Sequence, residues 1–171
     1  MMQQHKKAHE EGESAGLIAM VRVRGRTHIR GGIADTLRML NLTRVNHCSL
    51  VHGKERFKGM LSTAKDYITW GEVSEKALVS LLKERARITG DEPLTDAYVK
   101  AHSSFDGVKS FADALMKGDA KISDVKGLKK VFRLNPPRKG YGRKGIKVPY
   151  SNHGVLGYRG VKINDLIERM V

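Results

Sequence analysis

The sequence has few of the residues on which several protein classes depend. A single cysteine, Cys48, among 171 residues excludes an internal disulfide and is typical of a reducing compartment. The longest apolar run near the start, from Leu17 to Val21, is far too short for a membrane span or for the core of a signal peptide. We therefore expect a cytoplasmic protein that does not associate with a membrane.

Aromatic residues are also scarce, at 6% of the chain. The predicted strands lack the closely spaced aromatic pairs with which some sheets stack single-stranded bases. Tyr67 and Trp70 are interpreted as anchors of a core or of an interface. If the chain binds RNA, its recognition should depend on backbone phosphates and on the shape of folded RNA.

No polar residues converge on a catalytic or metal site in the sequence pattern. Asp35 and Glu55 lie on predicted helices and Asp66 at a strand start, so no pair of carboxylates is placed for acid–base work. His47 and Cys48 are neighbours in a predicted strand and should point to opposite faces. Cys48 is interpreted as a small buried hydrophobic residue. We expect no catalytic residue, metal, cofactor or small-molecule substrate.

Residues 140–145 read GYGRKG, which has the spacing of a dinucleotide-binding loop. That loop requires a preceding strand and a helix that opens at the third glycine, but Pro149 lies where this helix would run. The same residues contain GRKG, the spacing of a KH-domain loop, which must join two helices. Neither flank is helical in pattern, so both interpretations are disfavoured.

Positive charge is what the chain has in excess. It has 32 Lys and Arg against 18 Asp and Glu, a net charge of +14 and a pI of about 10. Residues 129–147, KKVFRLNPPRKGYGRKGIK, are rich in Lys and Arg without an acidic residue, and their glycines and prolines suit an irregular surface. Most charge runs are solvated loops, but here the excess extends over most of the chain. Because Lys and Arg gain affinity by releasing counterions from phosphates, nucleic acid is the predicted partner.

Hydrophobic periodicity predicts β-α-β-α-β within the first half of the chain. The first strand alternates over residues 17–24, with one apolar face and a second face that turns basic towards its end. The other predicted elements are a helix over 33–40, a strand over 46–51, a helix after Gly53, a strand over 67–70 closed by Gly71, and helices starting at Ser74 and covering 95–101, 105–116 and 163–170. The first two helices should pack on one face of a small sheet.

Several segments together resemble one family, the large-subunit ribosomal proteins called universal L-thirty, or L-seven in eukaryotes, in their archaeal form. MVRVRGRTHIRGGIADTLRMLNLTRVNHCSLV at 20–51 and RFKGMLSTAKDYITWGEV at 56–73 are similar to its core. FRLNPPRKG at 132–140 and GYRGVKINDLIERM at 157–170 are similar to its archaeal and eukaryotic C-terminal extension. Residues 1–16 depart from the family, whose members usually begin near the first strand.

The resemblance implies an α+β fold with a three-stranded antiparallel sheet, ferredoxin-like in part, and no enzymatic activity. It divides the chain into a tail (1–16), an rRNA-binding core (17–73) and a helical, basic extension (74–171). The implied role is that of a structural constituent of the large ribosomal subunit in the cytoplasm, with 23S-type rRNA, 5S rRNA and neighbouring proteins as partners. The alternative is an RNA-processing or RNA-modifying factor, which would need a catalytic cluster or cofactor loop.

The predicted RNA-binding residues form three sets of basic side chains. The strand–loop set extends the first strand into a glycine-rich loop, the helix set lies on the second helix, and the third set lies within the basic stretch. They are Arg22, Arg24, Arg26 and Arg30; Lys54, Arg56 and Lys58; and Lys129, Lys130, Arg133, Arg138, Lys139, Arg143, Lys144 and Lys147.

Overall fold

The computed structural model describes residues 16–142 and 144–171. Its regular elements are β1 (Leu17–Arg22), α1 (Gly31–Met39), β2 (His47–His52), α2 (Lys54–Ala64), β3 (Ile68–Glu72), α3 (Glu75–Arg85), α4 (Asp96–His102), α5 (Val108–Lys117), β4 (Phe132–Arg133), β5 (Gly157–Tyr158) and α6 (Ile163–Met170). Short 3-10 turns lie at Ile122–Asp124, Tyr150–Asn152 and Gly160–Lys162. The predicted tail up to residue 15 and Arg143 lie outside the described residues.

The strands form a single sheet in the order β4-β2-β1-β3-β5. β1 is central and pairs antiparallel with β2 and β3, so that Val21 lies opposite both Cys48 and Thr69. β4 adds to β2 antiparallel and β5 adds to β3 in parallel. The expected α+β class is confirmed, but the expected three-stranded antiparallel sheet is not the whole sheet. Two-residue strands from the C-terminal half extend both of its edges and make it mixed.

Both faces of the sheet are covered by helices, and β1 is therefore buried along its whole length. Met20 on one face packs in a cluster with Leu37 of α1 and Leu61 of α2. Ala19 on the other face belongs to a larger cluster that includes Phe111 of α5 and residues of α3 and α6. The periodicity predicted helices on the first face only. The second apolar face of β1 is buried by residues that follow β3.

Helix ends in the C-terminal half follow their local signals. The Ser74 hydroxyl accepts a hydrogen bond from the Ala77 amide at 3.4 Å, as an N-cap residue does. Gly118 closes α5 with a φ of 85°, a left-handed conformation that glycine adopts without strain. The bounds of α6 are those predicted from its apolar spacing. These helices are thus determined mainly by nearby residues.

Gly71 does not close β3 as predicted, since the strand continues to Glu72. A Cβ atom at Gly71 would lie 2.0 Å from the backbone oxygen of Gly160. The glycine is needed because the chain after β5 crosses β3 at this point. It marks a close approach between two distant segments, not the end of a strand.

Candidate nucleic-acid interface

Several loops meet where β1 ends and where β2 and β3 begin, a region we call the Arg22 end of the sheet. The Asn46 amide donates to the Arg22 carbonyl at 2.8 Å, and the Val23 amide donates to the Tyr67 carbonyl at 2.9 Å. The Leu134 amide donates to the Asn46 carbonyl at 3.0 Å and brings the basic stretch to the same place. The loop after β1 and the stretch after β4, which are far apart in sequence, are therefore neighbours.

Arg22 does not share the surface position expected for the strand–loop set. Its side chain is only 2% exposed, and the pKa of its guanidinium is lowered, first by burial and then by the charge of Arg26. It donates to the carbonyls of Leu42 at 2.8 Å, Thr43 at 2.9 Å, Arg24 at 2.9 Å and Gly25 at 3.0 Å. The prediction for Arg22 is corrected: the side chain fastens two loops to the end of β1.

The other three arginines of the strand–loop set lie at the surface. Arg24 donates to the Asp66 carbonyl at 3.1 Å, and its guanidinium lies 4.9 Å from the centre of the Tyr67 ring. Arg26 and Arg30 are exposed. Arg30 also precedes α1, whose first turn has neither an acidic residue nor a side-chain cap. The positive end of the helix dipole therefore adds to the charge of these arginines.

The basic stretch divides into an anchored first part and an exposed second part. Phe132 is fully buried and Leu134 is 8% exposed, which confirms that both side chains anchor the stretch to the fold. Lys129 contacts Asp91, and Arg133 lies 3.1 Å from the same carboxylate. The hydrogen bond from Lys129 and the charge of Arg133 lower the pKa of Asp91. Lys129 and Arg133 are thus already partly neutralised by the protein.

The second part of the stretch carries exposed basic side chains that form no ion pair with a described residue. Arg138, Lys139, Lys144 and Lys147 are exposed, and none of them has an ion pair with another described residue. We call residues 138–147 the basic loop. Since these side chains already lie in water, a phosphate partner would cost them little desolvation.

Tyr141 fixes the basic loop to the Arg22 end. Its hydroxyl donates to Asn46 Oδ1 at 2.6 Å, and its ring packs against a cluster formed by Val23, Val155 and Leu156. Burial raises the pKa of Tyr141 to about 12, so the hydroxyl keeps its proton for this bond. Gly142 has a φ of 114°, which a residue with a side chain would adopt only with strain. The loop is thus held at Tyr141, while the described Lys and Arg side chains on either side of it are exposed.

The helix set lies towards the opposite end of the sheet. Lys54 begins α2, and Lys58 forms an exposed ion pair with Glu55 at 3.7 Å. Arg56 and Lys130 line a groove of about 350 Å³, together with Lys121. Arg56 and Lys130 therefore share this groove, while Lys58 lines a different hollow with Glu55 and Lys65. The exposed arginines of the strand–loop set and the basic loop belong to the Arg22 end. Nothing in the sequence spacing indicated that Lys121 would join Arg56 and Lys130.

Two further arginines near the Arg22 end were not predicted. Arg44 is exposed in the loop before β2, where its charge contributes to lowering the pKa of His47. Arg159 follows β5 and is 8% exposed. Arg44 lies between a predicted helix and a predicted strand, so the sequence alone could have assigned it to an exposed loop. Arg159 has no local signal, because its surroundings come from β3 and from the turn after Pro149.

The described residues offer little to catalysis or to metal binding. They contain no group of three or more His, Cys, Asp or Glu side chains placed to hold a metal ion. Cys48 is buried as predicted, and burial raises the pKa of its thiol to about 12, so it is neither a nucleophile nor a ligand at neutral pH. Over the same residues, every helix is too short or too polar to cross a membrane.

Comparisons with known proteins identify the family of this chain. The family described as "Ribosomal protein L30p/L7e" matches residues 18–68. "Large ribosomal subunit protein uL30" of Methanopyrus kandleri is 48% identical over 149 residues, covering 87% of this chain and 100% of the relative. Proteins of the same name from Methanosphaera stadtmanae and Nanoarchaeum equitans are each 48% identical over 155 residues, covering 91% of this chain and 100% and 99% of the relatives. The chain therefore belongs to the uL30 family of large ribosomal subunit proteins.

Proposed function

We propose that the chain binds 23S-type rRNA, beside 5S rRNA, through the Arg22 end of the sheet and the basic loop. As a uL30 protein it is a structural component of the large subunit of the cytoplasmic ribosome and not an enzyme. Its partners are rRNA and neighbouring ribosomal proteins. The alternative of an RNA-modifying factor loses its basis with this family membership.

The observation that carries the proposal is that two remote segments bring unpaired charge to one surface. Arg26 and Arg30 come from the loop after β1, whose first residues include Val23, and Tyr141 of the basic loop packs against Val23 and donates to Asn46 at this end of the sheet. Each cation that meets an RNA phosphate releases condensed counterions. A folded RNA that meets both segments at once gains from all of these cations.

The groove beside α2 is a second proposed contact with rRNA. Arg56, Lys121 and Lys130 surround it, and none of the three has an ion pair among the described residues. Its floor includes Leu17 and Phe57. Because the groove lies away from the Arg22 end, the protein would hold two separate parts of the RNA.

The test measures the affinity of the full chain for large-subunit rRNA at several salt concentrations. Replacing Arg26 and Arg30 with Ala should reduce the slope of log K against log salt by up to about 0.9 for each phosphate that the variant no longer neutralises. Arg38→Ala is the matched control, because Arg38 is equally exposed but is already paired with Asp35 at 3.1 Å. A slope that stays unchanged in the double variant, or that falls equally in the control, would contradict the proposed surface.

Incorporation into ribosomes provides a second readout. Sedimentation of a cell lysate through sucrose should place the chain with the large subunit, and a high-salt wash should release the double variant before the wild-type protein. Equal release of the two proteins would mean that Arg26 and Arg30 contribute nothing to retention.

A further inference from the structure

Arg159 is a buried cation that forms no ion pair within the described part of the chain. Its side chain is 8% exposed. Burial is the largest influence on the pKa of its guanidinium and lowers it, while Tyr150 and Asp165 act in the opposite direction and Arg169 lowers it further. Placing a charge in such surroundings is costly unless an opposite charge approaches it.

The protein uses only part of the hydrogen-bonding capacity of Arg159. Nε donates to the Thr69 hydroxyl at 2.9 Å and Nη2 donates to the Val155 carbonyl at 3.0 Å, while the guanidinium lies 4.7 Å from the centre of the Tyr150 ring. A guanidinium has five N–H donors, so several are left. Arg22 differs, because its four bonds to backbone carbonyls leave it little capacity. The protein thus fixes the orientation of the Arg159 guanidinium but leaves some of its N–H donors without a protein acceptor.

Arg159 lines a cavity of about 550 Å³. Lys162 and Arg169 line the same cavity, so most of its charged side chains are basic. Asp165 is the only carboxylate among the described lining residues, and it lies 3.9 Å from Lys162. Arg169 donates to the carbonyls of Asp165 at 3.2 Å and Gly140 at 3.2 Å, which fixes its head at the rim. The cavity therefore presents oriented donors and a net positive charge.

Close backbone packing gives the cavity a rigid wall. Gly154 lines it, and a Cβ atom at this position would lie 2.1 Å from the Val148 backbone oxygen. His153, the preceding residue, has a φ of 63°. Tyr141 and Gly142 of the basic loop also line the cavity. Any anion that occupies it would touch the surface proposed above to bind rRNA.

We propose that Arg159, with Lys162 and Arg169 at the rim, forms a defined site for one phosphate group of the rRNA backbone. The inference rests on the proposed function, since the basic loop would deliver the RNA strand to the cavity. A guanidinium matches a phosphate through parallel N–H···O bonds, and its orientation by Thr69 and Tyr150 reduces the entropy lost on binding. This site differs from the exposed loop lysines because its geometry exists before RNA arrives.

The experiment follows the side-chain Nε–H signal of Arg159 and the ring signals of Tyr150 by NMR in the full chain. The probe is inorganic phosphate, with sodium chloride of matched ionic strength as the control and sodium acetate as a carboxylate probe. Phosphate should shift both signals saturably, while chloride should not. A short uridine oligonucleotide should produce the same shifts and compete with phosphate. Equal affinity for acetate would instead assign the cavity to a carboxylate of a protein partner and overturn the proposal.

Variants separate this site from general charge. Lys162→Ala removes a rim cation without touching the buried contacts of Arg159, and should weaken phosphate binding by up to about fivefold. Arg159→Met should abolish it, with the amide spectrum reporting whether the fold survives. Arg38→Ala is again the control and should bind phosphate like the wild type. Phosphate binding that is unchanged in Arg159→Met, or Arg159 signals that phosphate does not move, would overturn the inference.

The two proposals can fail independently. If phosphate does not bind but the Arg26 and Arg30 variants still reduce the salt slope, the rRNA surface stands and the cavity does not. If phosphate binds at Arg159 but those variants leave the slope unchanged, the cavity stands as an anion site and the wider surface is wrong.

Discussion

Replacing Arg22 should destabilise the fold, whereas replacing Arg26 should weaken RNA binding. Both are arginines of one short segment, but Arg22 is 2% exposed and donates four hydrogen bonds to carbonyls, while Arg26 is exposed. The informative change at each position is to methionine, which keeps an unbranched apolar side chain and removes the charge. The comparison asks whether burial, and not residue type, decides the role of each arginine.

The expected loss at Arg22 follows from its four bonds. A hydrogen bond from a charged donor contributes about 1.5–3 kcal/mol, but only the Leu42 carbonyl is fully buried, and the other acceptors can recover water. Removing the guanidinium also relieves its desolvation cost. We therefore expect Arg22→Met to lower the free energy of unfolding by about 3 kcal/mol, and Arg26→Met to change it by less than about 0.5 kcal/mol.

Urea unfolding followed by circular dichroism measures this difference. The midpoint of Arg22→Met should fall without a change in m, because the surface exposed on unfolding stays nearly the same. The salt dependence of RNA binding supplies the opposite comparison: Arg26→Met should make the dependence shallower, by a slope of up to about 0.9, and Arg22→Met should leave the slope unchanged. The reasoning is refuted if Arg22→Met unfolds at the wild-type urea concentration, or if Arg26→Met is equally destabilised.

Three other predictions concern the thiol, the histidines and the basic stretch. Cys48 should not react with a thiol reagent in the native protein, because it is buried and burial raises its pKa to about 12. It should react fully in denaturant. Rapid labelling of the native protein would contradict this prediction. Burial lowers the pKa of His47 and His52, so the protein should lose stability as pH falls below about 6.5. In urea titrations His47→Gln should make stability depend less on pH. If the variant loses stability as steeply as the wild type, His47 is not the source of the pH dependence. Residues 138–147 should gain protection from amide hydrogen exchange when the protein enters the large subunit, because few apolar contacts offset their ordering entropy in the free protein. Equal exchange rates in the free and assembled protein would exclude ordering on rRNA.

Local chemistry determined much of the fold in advance. Alternating apolar residues predicted β1, and apolar residues at helical spacing predicted α6 with its exact bounds. Ser74 and Gly118 marked helix ends as expected, because capping depends on residues within one turn. Composition predicted a nucleic-acid partner, and the family resemblance added the role of a structural protein of the large ribosomal subunit.

The two edge strands, β4 and β5, could not be predicted from local sequence patterns. β4 and β5 have two residues each, too few to show a periodicity, and exist because β2 and β3 offer unpaired edges to segments that pass beside them. The same contact between remote segments explains Gly71. A glycine in a strand signals either an end or a close approach, and only the position of Gly160 decides between the two.

The sequence by itself determined that the chain is basic, that its charge is concentrated in residues 129–147 and that β1 runs into an arginine-rich loop. The tertiary structure decided which of those charges remain available. Arg22 donates to carbonyls some twenty residues away, and Lys129 and Arg133 contact Asp91. Arg159 donates to Thr69 of the neighbouring strand β3 and still keeps free donors. Charge is a property of residue type, but availability depends on burial and hydrogen-bond partners, which the fold brings from distant parts of the chain.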